Sequence, residues 1–257
     1  MLDKLRAIWL VSRRRFRLDD YLEDEARGHV YFLVGFGLYG VCYFLIIQIA
    51  LWYDKAALPF GIYEFWNTMG GLTDWVISSW PVLAWGSAVT AVGCLMTSNE
   101  RWFNRNAETI FAARFVTSIR AGVFEEILYR WLIFLGSIVI AKMSNYFLFG
   151  FTAWFYLKFV ASVANFFTFG ALHNILFHEA GWAVGAGMLA ANASFRNGHK
   201  YLGWFGFANS WFIGIFMFWL LFRYGLLACI TIHFLYDALI FFVRYIDGII
   251  ERYRDNG

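Results

Sequence analysis

Long apolar stretches alternate along this chain with short segments rich in charge, and their lengths predict helices that cross a membrane. Residues 29–53 run without a formal charge, and 75–96 form a second uninterrupted apolar run; about 20 such residues suffice to span a bilayer. A third span is predicted over 115–140, opening with Arg120, Glu125, Glu126 and Arg130 on an otherwise helix-compatible sequence. The fourth lies within 146–177. Those 32 residues exceed one upright helix at about 1.5 Å per residue, so this span is either strongly tilted or split near Tyr156 and Lys158. Residues 181–191 are apolar but too short to cross. With Arg196, His199 and Lys200 behind them, they predict a cytoplasmic-side insertion, interfacial or re-entrant. Two further spans, 201–222 and 226–245, meet at a tight turn of Arg223, Tyr224 and Gly225.

The pattern predicts an all-α fold: a polytopic transmembrane helical bundle of about six to eight helices, in one membrane domain over residues 1–257. Composition supports it. The 257 residues are 61% hydrophobic, 22% aromatic and 15% charged, against about a quarter charged in an average soluble domain. No internal repeat or low-complexity tract is visible, and residues 1–28 lack the apolar core of a cleavable signal peptide. Cys42, Cys94 and Cys229 fall in apolar segments without CxxC spacing, which predicts core residues and neither a disulfide framework nor a redox motif.

The net charge is only +3, so its placement carries the information. Lys4, Arg6, Arg13, Arg14, Arg15 and Arg17 crowd the start of the chain as a basic flank over 1–28. No soluble basic domain follows, which makes this a membrane-surface signature and excludes a nucleic-acid partner. Arg101, Arg105 and Arg114 mark the loop after the second span, whereas Asp54, Glu64 and Asp74 give the first loop a slight acidic excess. The bias toward positive charge inside then puts both termini, with Arg252 and Arg254 at the far end, in the cytoplasm.

Three polar clusters interrupt membrane-grade sequence. Glu125 and Glu126 precede Arg130, Phe169 precedes His173 by four residues, and His233 precedes Asp237 by four. Facing lipid, Glu125, Glu126, Arg130 and Asp237 would together cost on the order of 10 kcal/mol, so they are predicted to face one another or a wet cavity. On a helix, positions four apart share a face, so Glu126 reaches Arg130, Phe169 stacks beneath His173 and His233 shares a face with Asp237. Glu125 points about 100° away from Glu126. One acid is thereby neutralised by arginine and the other left free as a base; a poorly solvated glutamate near a histidine suits water activation. Two histidines and a glutamate converging on one water make a hydrolytic centre. Taken singly, a Glu-Arg pair is commonly a plain ion pair and a membrane histidine a packing residue. His178 and Glu179 do not open a zinc-protease HExxH, because position 182 is Trp182, and no GxSxG occurs. The glycines from Gly181 to Gly187 lack the strand and Lys-Ser/Thr of a phosphate loop and predict helix packing.

In order and spacing these clusters resemble the CAAX-protease and bacteriocin-processing (CPBP, or Abi) family of intramembrane endopeptidases, with its signature EExxxR, FxxxH and HxxxN/D. The resemblance covers residues 115–242, and 175–203 stands out as an insertion, since about 60 residues separate His173 from His233. It implies a helical bundle with a polar, water-filled cavity and hydrolysis of peptide bonds in membrane-associated or prenylated, CAAX-like proteins or peptides. Carried over position by position, Glu125 activates water with help from His173, His233 and Asp237 stabilise the oxyanion, Glu126 and Arg130 hold the site together, and Phe169 supports it. The metal-free glutamate mechanism is preferred because Arg130 offsets negative charge; the zinc alternative takes Glu125, His173 and His233 as ligands. A prokaryotic plasma membrane is the expected location, with membrane lipids and a protein or peptide substrate as partners. Two other classes compete: a non-catalytic scaffold or chaperone of the same fold, and a proton-coupled transporter, which an inverted repeat would favour and none does.

For topology, cysteines introduced at positions 5 and 255 are expected to react with impermeant reagents only from the cytoplasmic side, and one at position 60 only from outside; the opposite pattern reverses the orientation.

Overall fold

In a computed structural model, residues 37–38, 40–42, 44–46, 68–96, 107–177 and 181–255 are described, and side chains at 96, 107–113 and 251–255 are not. Where the sequence suggests one domain, contacts divide the chain into two compact units, Met1–Gln48 and Ile49–Gly257. In the first, every described residue is helical. Most of the predicted first span, 29–53, lies outside the described residues, as do Lys4 to Arg17, Asp54, Glu64, Arg101, Arg105 and the pair His178 and Glu179.

The described residues of the second unit are helical apart from short turns, and no strand occurs among them. Helix α1 is Leu72–Met96 and α2 is Ala107–Glu125; a π-helical segment, Glu126–Ile133, runs on without a break into α3, Phe134–Phe147. After a turn at 148–150 come α4, Phe151–Phe155, a second π segment, Tyr156–Val160, and α5, Ala161–Phe167. Short α6, His173–Leu176, leads to α7, Trp182–Gly198; a 3₁₀ turn, Lys200–Leu202, leads to α8, Gly203–Tyr224, and α9, Leu226–Asp255, follows.

Three described segments are long and apolar enough to cross a membrane: Leu72–Leu95, Lys200–Tyr224 and Leu226–Ile250. A bent pair, Arg114–Phe147 and Phe151–Phe167, makes a fourth if it counts as one span, with a 114° change of direction. This is consistent with an integral membrane protein. The predicted spans at 75–96, 201–222 and 226–245 match α1, α8 and α9 closely, and the chain turns between the last two at Gly225, whose φ of 91° favours glycine. The fourth span breaks at 148–150, where Gly150 takes φ 90°, and again at 168–172. At Tyr156 to Val160 the helix continues through its π segment without a break.

The stretch 181–191, read as a cytoplasmic-side insertion, interfacial or re-entrant, falls in α7, which is not among the segments long and apolar enough to cross and is well buried: Ala183, Val184, Met188, Ala191 and Asn192 are at most 1% exposed. A helix enclosed by others need not be bilayer length; it needs small residues that let backbones approach. A Cβ on Gly187 would lie 3.1 Å from the Phe134 carbonyl oxygen, and one on Gly185 would collide with the Tyr156 hydroxyl. The packing role predicted for these glycines agrees. Of the three cysteines taken as core residues, Cys229 is buried and Cys42 exposed, with Cys94 between them.

Helix α9 crosses α1 and α2 equally tightly. A Cβ on Gly122 would sit 3.0 Å from the Ile230 carbonyl oxygen, and one on Gly86 would meet the Tyr236 ring. Polar side chains tie the crossing: Trp85 Nε1 donates to Asn209 Oδ1 at 2.8 Å, and Asn209 Nδ2 donates to the Tyr236 hydroxyl at 3.3 Å.

Gly122→Val is therefore expected to destabilise the folded protein by about 1–3 kcal/mol, the range of an overpacked contact, read as a lowered unfolding midpoint in detergent. Gly93→Ala, where a Cβ meets nothing within 4 Å, is expected to hold or slightly raise it.

Candidate active site

The site is built on three segments: the π segment after α2, the C-terminal end of α7, and the middle of α9. In the π segment, i→i+5 hydrogen bonding widens the turn, a local geometry common at functional sites. Glu126, Arg130 and Leu132 are its buried residues. Both members of the predicted Glu126–Arg130 pair are fully enclosed, with Arg130 Nε 3.2 Å from Glu126 Oε2. The other carboxylate oxygen, Oε1, accepts from His233 Nδ1 at 2.6 Å, which joins the π segment to α9.

A fully buried arginine is expensive unless its charge is compensated on every side. Beyond the carboxylate, compensation comes from rings: the Arg130 guanidinium lies 4.1 Å from the Phe195 centroid and 5.6 Å from that of Phe218. Its two Nη atoms have no hydrogen-bond acceptor among the described residues. Phe195, on α7, also lies edge-on to Tyr129 and to His233, at 5.3 and 6.2 Å between centroids. That single ring joins the three segments.

Around this buried core lies a second, more accessible shell. His233 Nε2 is 3.8 Å from Asp237 Oδ2, so the predicted pair on α9 is present. Glu125 is 31% exposed at its side chain, yet it turns Oε2 inward to within 3.7 Å of Nε2 of His199. His199 is 18% exposed and its Nδ1 is 2.8 Å from the Phe195 carbonyl oxygen. A carbonyl only accepts, so Nδ1 carries a proton, and Nε2 is the ring nitrogen that faces Glu125.

The structure thus brings together Glu125, Glu126, Arg130, His233 and Asp237. His173 and Phe169 are not with them. His173 is exposed on α6 with its ring packed on Phe177 at 4.7 Å, and Phe169 is 86% exposed with φ 52°. The expected stack of Phe169 beneath His173 fails because residues 168–172 form a turn, so the two do not share a helical face. None of the ion pairs within the cluster involves His173. No group of three His, Cys, Asp or Glu poised for a metal occurs among the described residues.

A histidine that the sequence did not single out for the site, His199, lies against Glu125. Its signal was available, because Phe195 and His199 have the same FxxxH spacing as Phe169 and His173. A second signal was the long gap between His173 and His233, which shortens by almost half when counted from His199. No protein-family model, curated protein or solved structure matches the chain.

The buried pair yields a stability prediction. Arg130→Met is expected to cost about 3–5 kcal/mol, the penalty for leaving a buried charge uncompensated, and adding Glu126→Gln to it is expected to recover part of that loss. Unfolding midpoints of the single and double variants check the non-additivity.

Proposed function

We propose that the chain is an intramembrane endopeptidase of the glutamic type, related to the CPBP family, in which Glu125 and His199 activate the attacking water. The observation that carries this reading is the facing of Glu125 Oε2 and His199 Nε2 at 3.7 Å, beside a fully buried Glu126–Arg130 pair. With the second motif read at Phe195 and His199, EExxxR, FxxxH and HxxxD belong to one cluster of side chains, and the supposed insertion 175–203 becomes the helix that carries its middle element.

The chemistry follows from the atoms. A separation of 3.7 Å is long for a direct hydrogen bond and suits a water that donates one proton to each partner. Such a water has both protons held and its lone pairs free for attack. Glu125 takes a proton as the water oxygen bonds to the scissile carbonyl carbon, then returns it to the leaving amine when the C–N bond breaks. His233, with Nδ1 committed to Glu126, donates from Nε2 to the carbonyl oxygen as it acquires charge, and Asp237, 3.8 Å from Nε2, helps hold the ring there. Glu126 and Arg130 touch no substrate in this scheme and act as positioning residues.

Membrane-associated or prenylated proteins and peptides are the substrate class, reached from the cytoplasmic leaflet. The location is a prokaryotic plasma membrane with both termini in the cytoplasm. Zinc is not required in this scheme, because Arg130 offsets the charge beside the acids and Glu125 supplies the base.

In reconstituted protein cleaving a lipid-anchored reporter, Glu125→Gln and His199→Ala are each expected to lower the rate by about 10²–10⁴-fold, the range for a lost general base. Folding should stay near normal. His173→Ala is expected to keep most of its activity, and a chelator to change little. Full activity in His199→Ala together with loss in His173→Ala returns the second motif to His173; loss on chelation and recovery with zinc replaces the metal-free mechanism.

A further inference from the structure

A large groove of the second unit lies along α7. It measures about 840 Å³, within the few hundred to about a thousand cubic ångströms of ligand sites. Phe155, Phe159 and Phe167 form one wall, Trp204, Phe207 and Trp211 the other, and α7 the floor through Ala190, Ala193 and Arg196. The groove opens sideways: Phe155, Phe159 and Phe167 are each about half exposed, and Trp204 is 82% exposed.

One cation stands in this apolar lining. The Arg196 guanidinium lies 4.4 Å from the Phe207 centroid and 5.5 Å from that of Trp211. Its Nη2 donates to Asn197 Oδ1 at 3.2 Å, its buried Nε has no hydrogen-bond partner among the described residues, and no described carboxylate pairs with it. The arginine sits in the last turn of α7, and exposed Lys200 follows in the next turn. Positive charge thus gathers at one end of an aromatic trough, complementary to an anionic headgroup with its chain lying along the trough. A phosphate offers the planar guanidinium two acceptor oxygens, and basic pockets between membrane helices are suited to lipid headgroups.

We propose that this groove holds an acyl chain of an anionic glycerophospholipid, with the lipid phosphate on Arg196. The site is distinct from the acidic cluster, and its readout is lipid capture, so it stands or falls apart from any proteolytic activity.

The test uses the full chain in phosphatidylcholine nanodiscs containing trace phosphatidylglycerol with a photoactivatable group midway along an acyl chain. Labelled peptides are mapped by mass spectrometry. Labelling is expected within residues 155–167 and 189–212, with unlabelled phosphatidylglycerol competing roughly tenfold better than phosphatidylcholine, as one charge-assisted contact allows. Arg196→Gln should abolish that headgroup preference, Ala190→Trp should reduce labelling by filling the trough, and Arg223→Gln should change neither. Labelling confined to other segments, equal competition by phosphatidylcholine, or competition by free palmitate as strong as that by phosphatidylglycerol overturns the proposal. The competition on the unaltered chain decides even if a variant fails to fold.

Discussion

The interior of this bundle is organised by one buried charge, the guanidinium of Arg130. An arginine with no exposed surface is tolerable only where opposite charge and polarisable faces surround it. Glu126 provides the charge, and Phe195 and Phe218 provide the faces. Because the two rings come from two further elements, the need to satisfy one side chain fixes the mutual placement of the π segment, α7 and α8. Through the Glu126–His233 hydrogen bond it fixes α9 as well. Membrane helices gain little from apolar contact with one another, since lipid is equally apolar. A buried ionic centre of this kind, together with glycine contacts at Gly122 and Gly187, gives the packing its specificity.

The more accessible residues inherit their positions from that centre. Glu125 directly precedes the buried Glu126, His199 stands one helical turn beyond Phe195, and Asp237 one turn beyond His233. Each residue of the outer shell is thereby indexed to a residue of the inner one. The division of labour between the two adjacent glutamates has the same origin: one is saturated by arginine and histidine, and the other turns an oxygen toward the imidazole of His199. The lipid groove shares the same scaffold, because α7 presents Phe195, with His199 just beyond its end, to the acids and Arg196 to the trough.

Much of this was legible in the sequence, and the failures have physical causes. Charge in apolar sequence revealed Glu126, Arg130, His233 and Asp237, because such residues must find partners and four-residue spacing puts partners on one face. Helices α1, α8 and α9 were legible because they match the length of a bilayer. Helix α7 was not, since length is a criterion only for a helix that meets lipid, and this one meets other helices through Gly185 and Gly187. The proposed exchange of His173 for His199 rests on the same point, because the turn at 168–172 takes His173 off the helical face that its spacing to Phe169 predicts, whereas His199 faces Glu125. The π segments were invisible as well, because no residue pattern distinguishes i→i+5 from i→i+4 bonding.

Coupling between Glu125 and His199 tests the central claim most directly. If both act on one water, the cleavage rate of the Glu125→Gln, His199→Ala double variant should fall no further than that of the worse single variant, since residues acting as a unit are strongly non-additive. Rate losses that multiply in the double variant would contradict the account, because the two side chains would then be working independently.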